Sequence, residues 1–502
     1  MNSKQFLTLV ALMGGQASAF WRMECRGTTA QARIDPLISP GVASEHIHQI
    51  FGSGSFGMTA DYLSLSGDTS CTSCGAEEDK SAYWTPIPYF KDNTTGEYEA
   101  VANVGGMLAY YFLNGENIRA FPDGFKMIAG DTDRRNYSVG NGDFEQPDPD
   151  KSSWLSLGQT GQADLSQRAL GFNCLDYSKS AEGSLYRHFL PSKDYIDANC
   201  PDGIRMELMF PSCWDGVNID SADHKSHVAY PDLVMNGDCP EDFPVRLPGL
   251  FFETIWDMHA FNDRDGMFIM SNGDPYGFGY HGDFISGWKN ESKTNGFQLQ
   301  DAVDTCTASS GKIQDCPLFT IQEQDVQQKC TLDLPSLLVK EDAAGPMSSL
   351  PGGAQVFWGP GPASADDSEA TIPTSIVLPT LTYSAGSTAS VNGSFVPGNA
   401  FKAASTGTST PMAEAVKGAA IVTPAISDAP TGPTAIATAT SYATTTLADG
   451  TVMVNEIVYE EVIDFVTTAT TTTVYVDPTA AAVARRRSAH AHHHRHVHGR
   501  AQ

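Results

Sequence analysis

Short apolar runs separated by turn-forming residues set the pattern of the chain from residue 20 to about residue 332. The runs at 106–113, 117–121 and 125–129 are joined by Asn114-Gly115 and then by Pro122-Asp123-Gly124. Both joints contain a glycine, which adopts a positive φ without steric cost, so each is typical of a tight turn between strands. The pattern predicts a three-stranded meander.

Further strands are predicted at 203–210, 250–257 and 266–270, each rich in apolar or aromatic residues and bounded by turn residues. Helices are expected to be few. The best candidate is 297–305, where apolar residues recur at three- and four-residue spacing. Many short strands with turns between them indicate a mainly β domain, a β-sandwich or jelly-roll-like fold with long irregular loops.

Composition changes at about residue 333 and predicts the domain organisation. Residues 20–332 contain every cysteine and are long enough for a large core. Residues 333–484 are rich in Ser, Thr, Ala, Pro and Gly, which bury too little apolar surface to offset chain entropy, so a disordered, O-glycosylated stalk is expected. Within it, the β-branched stretch 456–476 is predicted to pair as strands or to self-associate.

Residues 485–502 form an Arg/His-rich tail that begins with Arg485-Arg486-Arg487. Two interpretations stay open for it. One is a solvated, pH-sensitive basic end, and the other is a binding site for copper, nickel or zinc.

The amino terminus has the parts of a secretory signal peptide. Lys4 supplies a positive charge, 6–13 forms a short apolar core, and Ala17-Ser18-Ala19 is a small-residue cleavage site. Residues 1–19 are therefore predicted to be removed, so that the mature chain begins at Phe20. No later stretch is long and apolar enough for a transmembrane helix. The protein is expected outside the cell, free or associated with the cell wall.

The cysteines agree with an oxidising compartment. They number ten, an even count, and disulfide bonds are favoured over a zinc site at Cys71 and Cys74 because no second C-x-x-C follows. Cys306 and Cys316 are near enough in sequence for a local bridge, and the other pairings stay open. Four sequons are candidate glycosylation sites, at Asn93, Asn136, Asn290 and Asn392.

The chain is strongly acidic, with a formal net charge of -28 at pH 7. Such a surface repels nucleic acid and polyanionic glycans through the same Coulomb term that attracts cations. The charge therefore argues against a nucleic-acid partner. A neutral polysaccharide or cell-wall glycan suits it better.

His46 and His48 form the first of three histidine groups. On a strand, residues two apart project to one face, which suits two ligands of one metal ion. Asp35 and Glu45 are candidate carboxylates behind them. The alternative is a pair of loop histidines bonded to backbone carbonyls.

His224 and His227 lie in a stretch with loop character, and His281 with Asp283 follows a glycine-rich run. Each group has a catalytic interpretation, as acid/base residues or as an imidazole–carboxylate pair, and a structural one, as hydrogen-bonded loop or strand residues. The candidate catalytic set comprises both histidine pairs together with His281 and Asp283. Of these, His46, His48 and His281 are the candidate ligands of a divalent metal ion.

Aromatic residues near these motifs are candidates for contact with a sugar. Trp84, Trp214 and Tyr280 present apolar rings with polar groups attached, which suits the faces of sugars. The alternative is that they fill the core of a β domain. Both interpretations stay open.

Nine segments of the chain form an ordered set of motifs. They are 33–52 (RIDPLISPGVASEHIHQIFG), 71–74 (CTSC), 81–86 (SAYWTP), 124–131 (GFKMIAGD), 200–203 (CPDG), 210–216 (FPSCWDG), 223–231 (DHKSHVAYP), 244–248 (PVRLP) and 271–284 (SNGDPYGFGYHGDF). Together they resemble a secreted domain family, abundant in fungi and found in bacteria, catalogued as domain of unknown function nineteen-ninety-six. The resemblance covers about residues 20 to 320 and implies a secreted fungal protein, but no reaction. The Thr-rich, His/Arg-ended tail is similar to those of fungal wall-associated proteins.

Two hypotheses follow. The first is a secreted carbohydrate-active enzyme that acts on a cell-wall or plant polysaccharide through a metal ion or through histidine acid/base groups. The second is a non-catalytic cell-wall or adhesive protein that binds glycan. Histidine groups that converge around one cavity would favour the enzyme. Separated, fully hydrogen-bonded histidines would favour the glycan-binding protein.

Overall fold

Strands form most of the regular structure, and the helices are short. The computed structural model describes residues 19–67, 70–144, 147–290, 296–307 and 310–359, and the backbone of 434–446 and 452–463. The strands, in chain order, are β1 (Ala19–Cys25), β2 (Ala30–Ala32), β3 (His48–Gly52), β4 (Ala82–Pro86), β5 (Pro88–Asp92), β6 (Tyr98–Ala100), β7 (Asn103–Leu113), β8 (Lys126–Gly130), β9 (Leu170–Cys174), β10 (Ile204–Met209), β11 (Cys213–Trp214), β12 (Val228–Ala229), β13 (Val245–Arg246), β14 (Gly249–Trp256), β15 (Gly266–Met270), β16 (His281–Ile285), β17 (Gly311–Lys312), β18 (Thr434–Thr446) and β19 (Val452–Ile463). The α-helices are α1 (Tyr62–Leu65), α2 (Lys151–Trp154), α3 (Gln162–Arg168), α4 (Lys193–Asn199), α5 (Leu299–Thr305) and α6 (Gln324–Lys329), and short 3₁₀ helices lie at Met258–Phe261, Ile313–Asp315 and Pro351–Gly353.

Two large sheets pack against each other. One has the strand order β17-β1-β7-β14-β10-β9 and the other the order β2-β3-β4-β16-β8. Between them the rings of Tyr83 and Phe252 meet edge to face, with centroids 5.6 Å apart. The sheets are in close contact at Gly282, where an added Cβ would lie 2.5 Å from the Leu208 side chain. The prediction of a mainly β domain is confirmed.

The individual strand predictions had mixed outcomes. Those at 106–113, 203–210, 250–257 and 266–270 correspond to β7, β10, β14 and β15, and the predicted helix corresponds to α5. The predicted meander is wrong, because β7 and β8 lie in different sheets and 117–121 is not a strand. In that segment the Ala120 amide donates to the Gln300 side chain at 2.8 Å, and Asn117 has a φ of 52°. A turn signal fixes a local reversal, but not the sheet that the next strand joins.

All ten cysteines form disulfide bonds, as predicted. The local bridge between Cys306 and Cys316 is present. Five disulfides are consistent with an extracellular protein. The other four bridges are Cys25–Cys74, Cys71–Cys330, Cys174–Cys200 and Cys213–Cys239.

Loops and the segment after Cys330 cover the outer face of the five-stranded sheet. That face presents Ile50 from β3, Trp84 from β4 and Ile128 from β8. Farther along the chain, Leu350 is buried in the main core, so the predicted stalk boundary at 333 falls inside a packed segment. The residues that cover the face are Ile34, Leu37, Phe56, Leu65 and Leu338.

A second unit, described by itself, contains the antiparallel pair β18 and β19. The first part of the predicted strand region 456–476 lies in β19, and 464–476 lies outside the described residues. Also outside them are residues 1–18 of the predicted signal peptide, 360–433 of the stalk and the 485–502 tail. Within the part of the chain that is described, no helix is long and apolar enough to cross a membrane.

Candidate metal centre

Two strands bring histidines to the outer face of the five-stranded sheet. His48 begins β3, His281 begins β16, and both strands flank β4. The register of β4 against its two neighbours places these two histidines at the same level, so their side chains project to the same face. His46 lies two residues before His48, in the loop that leads into β3. Of the two histidines considered for one strand, only His48 lies on β3, and His46 lies in the preceding loop.

The three side chains converge through their Nε2 atoms. The Nε2 atom of His281 lies 3.3 Å from that of His46 and 3.4 Å from that of His48. One ligand atom from each ring lies within 4.8 Å of the other two. The residues are only 8%, 0% and 4% exposed for His46, His48 and His281, respectively. The sequence left open whether these distant groups meet, and the structure brings these three together.

These distances fit a tetrahedral metal site. Zinc binds imidazole nitrogen at about 2.0–2.1 Å, and two ligands of a tetrahedral ion at that length are about 3.3–3.4 Å apart. The two nitrogen pairs that include His281 have this separation. A catalytic zinc ion commonly has three protein ligands and one open position. The donor set therefore fits zinc, and imidazole also suits copper or nickel.

One hydrogen bond fixes which nitrogen of His281 faces the site. Its Nδ1 atom lies 2.9 Å from the Gly279 carbonyl oxygen and must donate, because a carbonyl only accepts. The neutral ring then presents an unprotonated Nε2 atom toward His46 and His48. That nitrogen has one lone pair, which cannot accept two well-aligned hydrogen bonds. A metal ion placed between the three rings would need only one bond from this lone pair.

Burial keeps the three imidazoles in the neutral form that binds metal. Desolvation lowers the pKa of His46 well below its usual value, and charges on His281 and Arg135 add to the effect. The pKa of His48 is also lowered well below its usual value, by burial first and then by its two histidine neighbours. Burial lowers the pKa of His281 to about 4. All three rings are therefore free of the extra proton at neutral pH.

A comparison with protein families matches residues 35–288 to the model of a domain of unknown function, DUF1996. The match spans half of the chain and contains all three histidines. The chain belongs to the DUF1996 family. No match was found among curated proteins or among solved structures. The resemblance seen in the sequence is confirmed for this domain.

Charged side chains of the DUF1996 domain surround the three histidines. The Arg135 guanidinium is held by the Asn272 carbonyl at 2.7 Å, and Lys225 donates from Nζ to the Gly130 carbonyl at 2.9 Å. Both cations lower the pKa of His281, whereas Asp131 raises it. Fixed positive groups beside the site favour a ligand with a negative or electron-rich oxygen.

His224 and His227 of the DUF1996 domain lie apart from the three converging rings. The Nδ1 atom of His224 is 2.6 Å from Asp220, and its Nε2 atom is 3.2 Å from the Leu37 carbonyl. In His227, Nδ1 is 2.9 Å from the Ser221 hydroxyl and Nε2 is 2.7 Å from the Lys126 carbonyl. All four ring nitrogens thus have hydrogen-bond partners in the fold. A catalytic role for this pair stays a prediction.

Asp283 lies two residues after His281 on the same face of β16. It is fully buried, and neither carboxylate oxygen has a hydrogen-bond partner. Burial raises its pKa well above the usual range, and the charge of Asp35 raises it further. The predicted imidazole–carboxylate pair is therefore close in sequence, but its carboxylate does not bond the His281 ring, whose Nδ1 atom is held by Gly279.

The aromatic residues proposed to contact sugar are all buried. Trp84 and Tyr280 are completely covered, and Trp214 is 2% exposed. Trp214 packs edge to face on Phe125, and Tyr280 packs in the same way on Phe172. A role in substrate contact stays a prediction for these three residues.

Sequence reasoning missed Arg135, Lys225 and the support from Gly279. An added Cβ at Gly279 would lie 2.6 Å from the Arg135 guanidinium, so this glycine lets the cation approach the segment before His281. Lys225 stands next to His224 within D-H-K-S-H, and its charge was the available signal. The contacts of Arg135 with Asn272 and of Lys225 with Gly130 do not follow from sequence spacing, because each joins segments far apart in the chain.

Proposed function

We propose that the domain is an extracellular metalloprotein that binds a divalent ion at His46, His48 and His281 and hydrolyses a neutral polysaccharide. In this reaction the elements of water are added across a glycosidic bond, with the hydroxyl going to the sugar carbon and the proton to the departing oxygen. The observation that carries the proposal is the convergence of three buried imidazoles, in which the two Nε2 separations that include His281 match those between ligands of a tetrahedral ion.

The bound ion would lower the pKa of a coordinated water or polarise a substrate oxygen. The protein's residues have separate parts in this scheme. His281 is oriented by the Gly279 carbonyl, which fixes its tautomer and supports its basicity as a ligand. Arg135 and Lys225 place positive charge where an electron-rich substrate oxygen would approach. His46, the most exposed of the three ligands, marks the side from which a substrate would enter.

Two features support a neutral sugar polymer as the substrate. The net charge of -28 repels polyanions. Two partly exposed aromatic rings, Tyr276 and Trp358, also contact each other, and Tyr276 belongs to the segment that leads to His281. Tyr276 stacks on Phe278 at 5.5 Å between centroids, and Trp358 meets Tyr276 edge to face at 5.6 Å. The Tyr276 and Trp358 rings are more open than those proposed from the sequence and offer apolar surface suited to sugar faces.

The alternative is a non-catalytic glycan-binding or adhesive wall protein in which the metal ion is structural. The observation that favours it is the burial of the ligands, since a catalytic site must admit substrate to its open position. Both candidates require the metal ion. Only the first requires that a polysaccharide is altered.

The test uses the full chain with the six tail histidines, His490 to His498, replaced by alanine, so that the tail binds no metal. Zinc and copper content is measured by elemental analysis after loading and dialysis, and soluble polysaccharides are screened for new chain ends. One equivalent of metal is expected. His48→Ala and His281→Ala should each weaken binding at least 100-fold, because two remaining ligands hold an ion poorly.

His259→Ala is the matched control, since this histidine lies outside the site and its ring contacts Asn262. It should retain one equivalent of metal. Absence of bound metal in the parent protein, or equal binding by the His281→Ala variant, overturns the metal centre. Stoichiometric metal without any cleaved glycan leaves the non-catalytic alternative.

A further inference from the structure

We propose a second cation position behind the three histidines, formed by the carboxylates of Asp283 and Asp35. It would take a hard divalent ion such as Mn²⁺, Mg²⁺ or Ca²⁺. The inference goes beyond the proposed function and does not require that the histidines are loaded.

The position follows from the register of the five-stranded sheet. Asp283 is paired with Trp84 on β4 and with Ile128 on β8. Residues opposite each other in a sheet project to the same face, so Asp283 lies beside the Trp84 indole, under the covering loop. His281 is two residues away on the same face of β16. The Asp283 carboxylate therefore lies next to the histidines on the outer face of the sheet, one step further along β16.

Asp35 lies in the covering loop, whose residues Ile34 and Leu37 pack in one apolar cluster with Trp84. It is 3% exposed, and its Oδ1 atom accepts the amides of Leu37 and Ile38 at 3.1 Å and 3.2 Å. The covering loop thus holds Asp35 over the face of the sheet that carries Trp84 and Asp283, and burial first and then the charge of Asp35 raise the pKa of Asp283.

The state of the Asp283 carboxylate is a separate observation that points to a bound ion. Asp283 has no exposed surface, and both of its oxygens are without hydrogen-bond partners. A buried polar group without a partner costs about 1–3 kcal/mol, and an ionised one costs more, so such a group is normally paired with an ion or a water molecule. The surrounding cations do not supply a direct bond, because the Lys225 ammonium is bonded to the Gly130 carbonyl. A divalent ion would satisfy both oxygens.

The chemistry of the ligands points to a hard ion. Magnesium is commonly held by one or two carboxylates with waters completing the shell, and manganese accepts the same oxygen ligands. Imidazole ligands instead suit zinc and copper. The two positions should therefore differ in metal preference, and this difference allows them to be measured separately.

The experiment uses the full chain with the tail histidines replaced by alanine, first saturated with zinc and then titrated with Mn²⁺. Free Mn²⁺ is followed by its electron paramagnetic resonance signal at physiological salt. One bound Mn²⁺ per chain is expected. Asp283→Asn and Asp35→Asn should each weaken Mn²⁺ binding at least tenfold and leave the zinc content unchanged.

Asp79→Asn is the matched control, because Asp79 is also fully buried but lies away from the site. Its Oδ2 atom accepts the Tyr83 hydroxyl at 2.6 Å. Folding of each variant is checked by thermal unfolding, and Mn²⁺ binding by Asp79→Asn should match the parent. The proposal is overturned if the parent binds no Mn²⁺, or if both asparagine variants bind it as well as the parent. If the parent binds Mn²⁺ but no zinc, the proposed zinc site at the histidines is overturned and the carboxylate position stands.

Discussion

The ring of His281 is oriented by a single backbone carbonyl, and this contact decides what the site can bind. Gly279 accepts from Nδ1, so the other nitrogen is left for a ligand. The ring is also almost fully buried, which disfavours its charged form. At the residue scale, the same contacts that bring His281 to the other two histidines should make the metal-free protein sensitive to acid.

We expect the free energy of unfolding of the metal-free protein to fall between about pH 6.5 and pH 4. Burial lowers the pKa of His281 to about 4 in the folded state, whereas an unfolded histidine titrates near 6.5. The unfolded state therefore takes up this proton first as the pH falls. The stability is intact above about pH 6.5 and decreases by up to about 3 kcal/mol at pH 4.

Denaturant unfolding at a series of pH values measures this effect, with His281→Gln as the comparison. Glutamine is neutral throughout the range, so the variant should lose less stability on acidification than the parent. If the free energy of unfolding falls equally with pH in the two proteins, His281 does not contribute to the acid sensitivity. Added zinc should raise the stability of the parent at neutral pH and lose its effect as the ligands become protonated.

At the scale of elements, the sequence predicted strands with strong local signals. The strands at 203–210, 250–257 and 266–270 are apolar or aromatic and end at turn residues, and they correspond to β10, β14 and β15. The strands that carry the site were not predicted. β16 is short and begins with a histidine, a glycine and an aspartate, which are residues that strands disfavour or that have no strong strand preference.

The site itself was predicted as a set of residues but not as an arrangement. His46, His48 and His281 were chosen for their chemistry and short spacing. Their convergence depends on β16 pairing with β4 and β8, across a separation of 235 residues between His46 and His281. Strand order of this kind is set by how whole faces pack, which a local pattern does not contain. The exclusion of His224 and His227 from the cluster has the same origin.

Gly282→Ala should destabilise the domain by about 1–3 kcal/mol, because an extra methyl group overpacks the space between the two sheets. The new Cβ would lie 2.5 Å from the Leu208 side chain and 3.2 Å from Phe252. Gly183→Ala is the matched control, since nothing lies within 4 Å of its added Cβ. Midpoints of denaturant unfolding compare the two. A loss no greater in Gly282→Ala than in the control would contradict the close approach.

At the scale of the whole domain, one disulfide anchors the segment that covers the outer face of the five-stranded sheet. Cys330 bonds Cys71 across 259 residues. After it, Leu338 packs with Leu37 against the outer face of the five-stranded sheet. The residues over the histidine face are therefore held by a covalent link as well as by apolar contacts.

Removing this bridge in a Cys71→Ser/Cys330→Ser variant should lower the free energy of unfolding by about 5 kcal/mol, against about 3 kcal/mol for Cys306→Ser/Cys316→Ser. The difference is expected because the entropy gained by the unfolded chain grows with the size of the opened loop. The two loops span 259 and 10 residues. Guanidinium unfolding of both variants measures the difference, and a larger loss for the small loop would show that native strain dominates.

The position of β16 between β4 and β8 has a consequence for synthesis. Both neighbours are made long before it, and in the folded sheet each pairs with β16 and not with the other. A chain released early would have two open strand edges and only two of the three imidazoles. The three imidazoles therefore come together only after β16 has been made and has paired with β4.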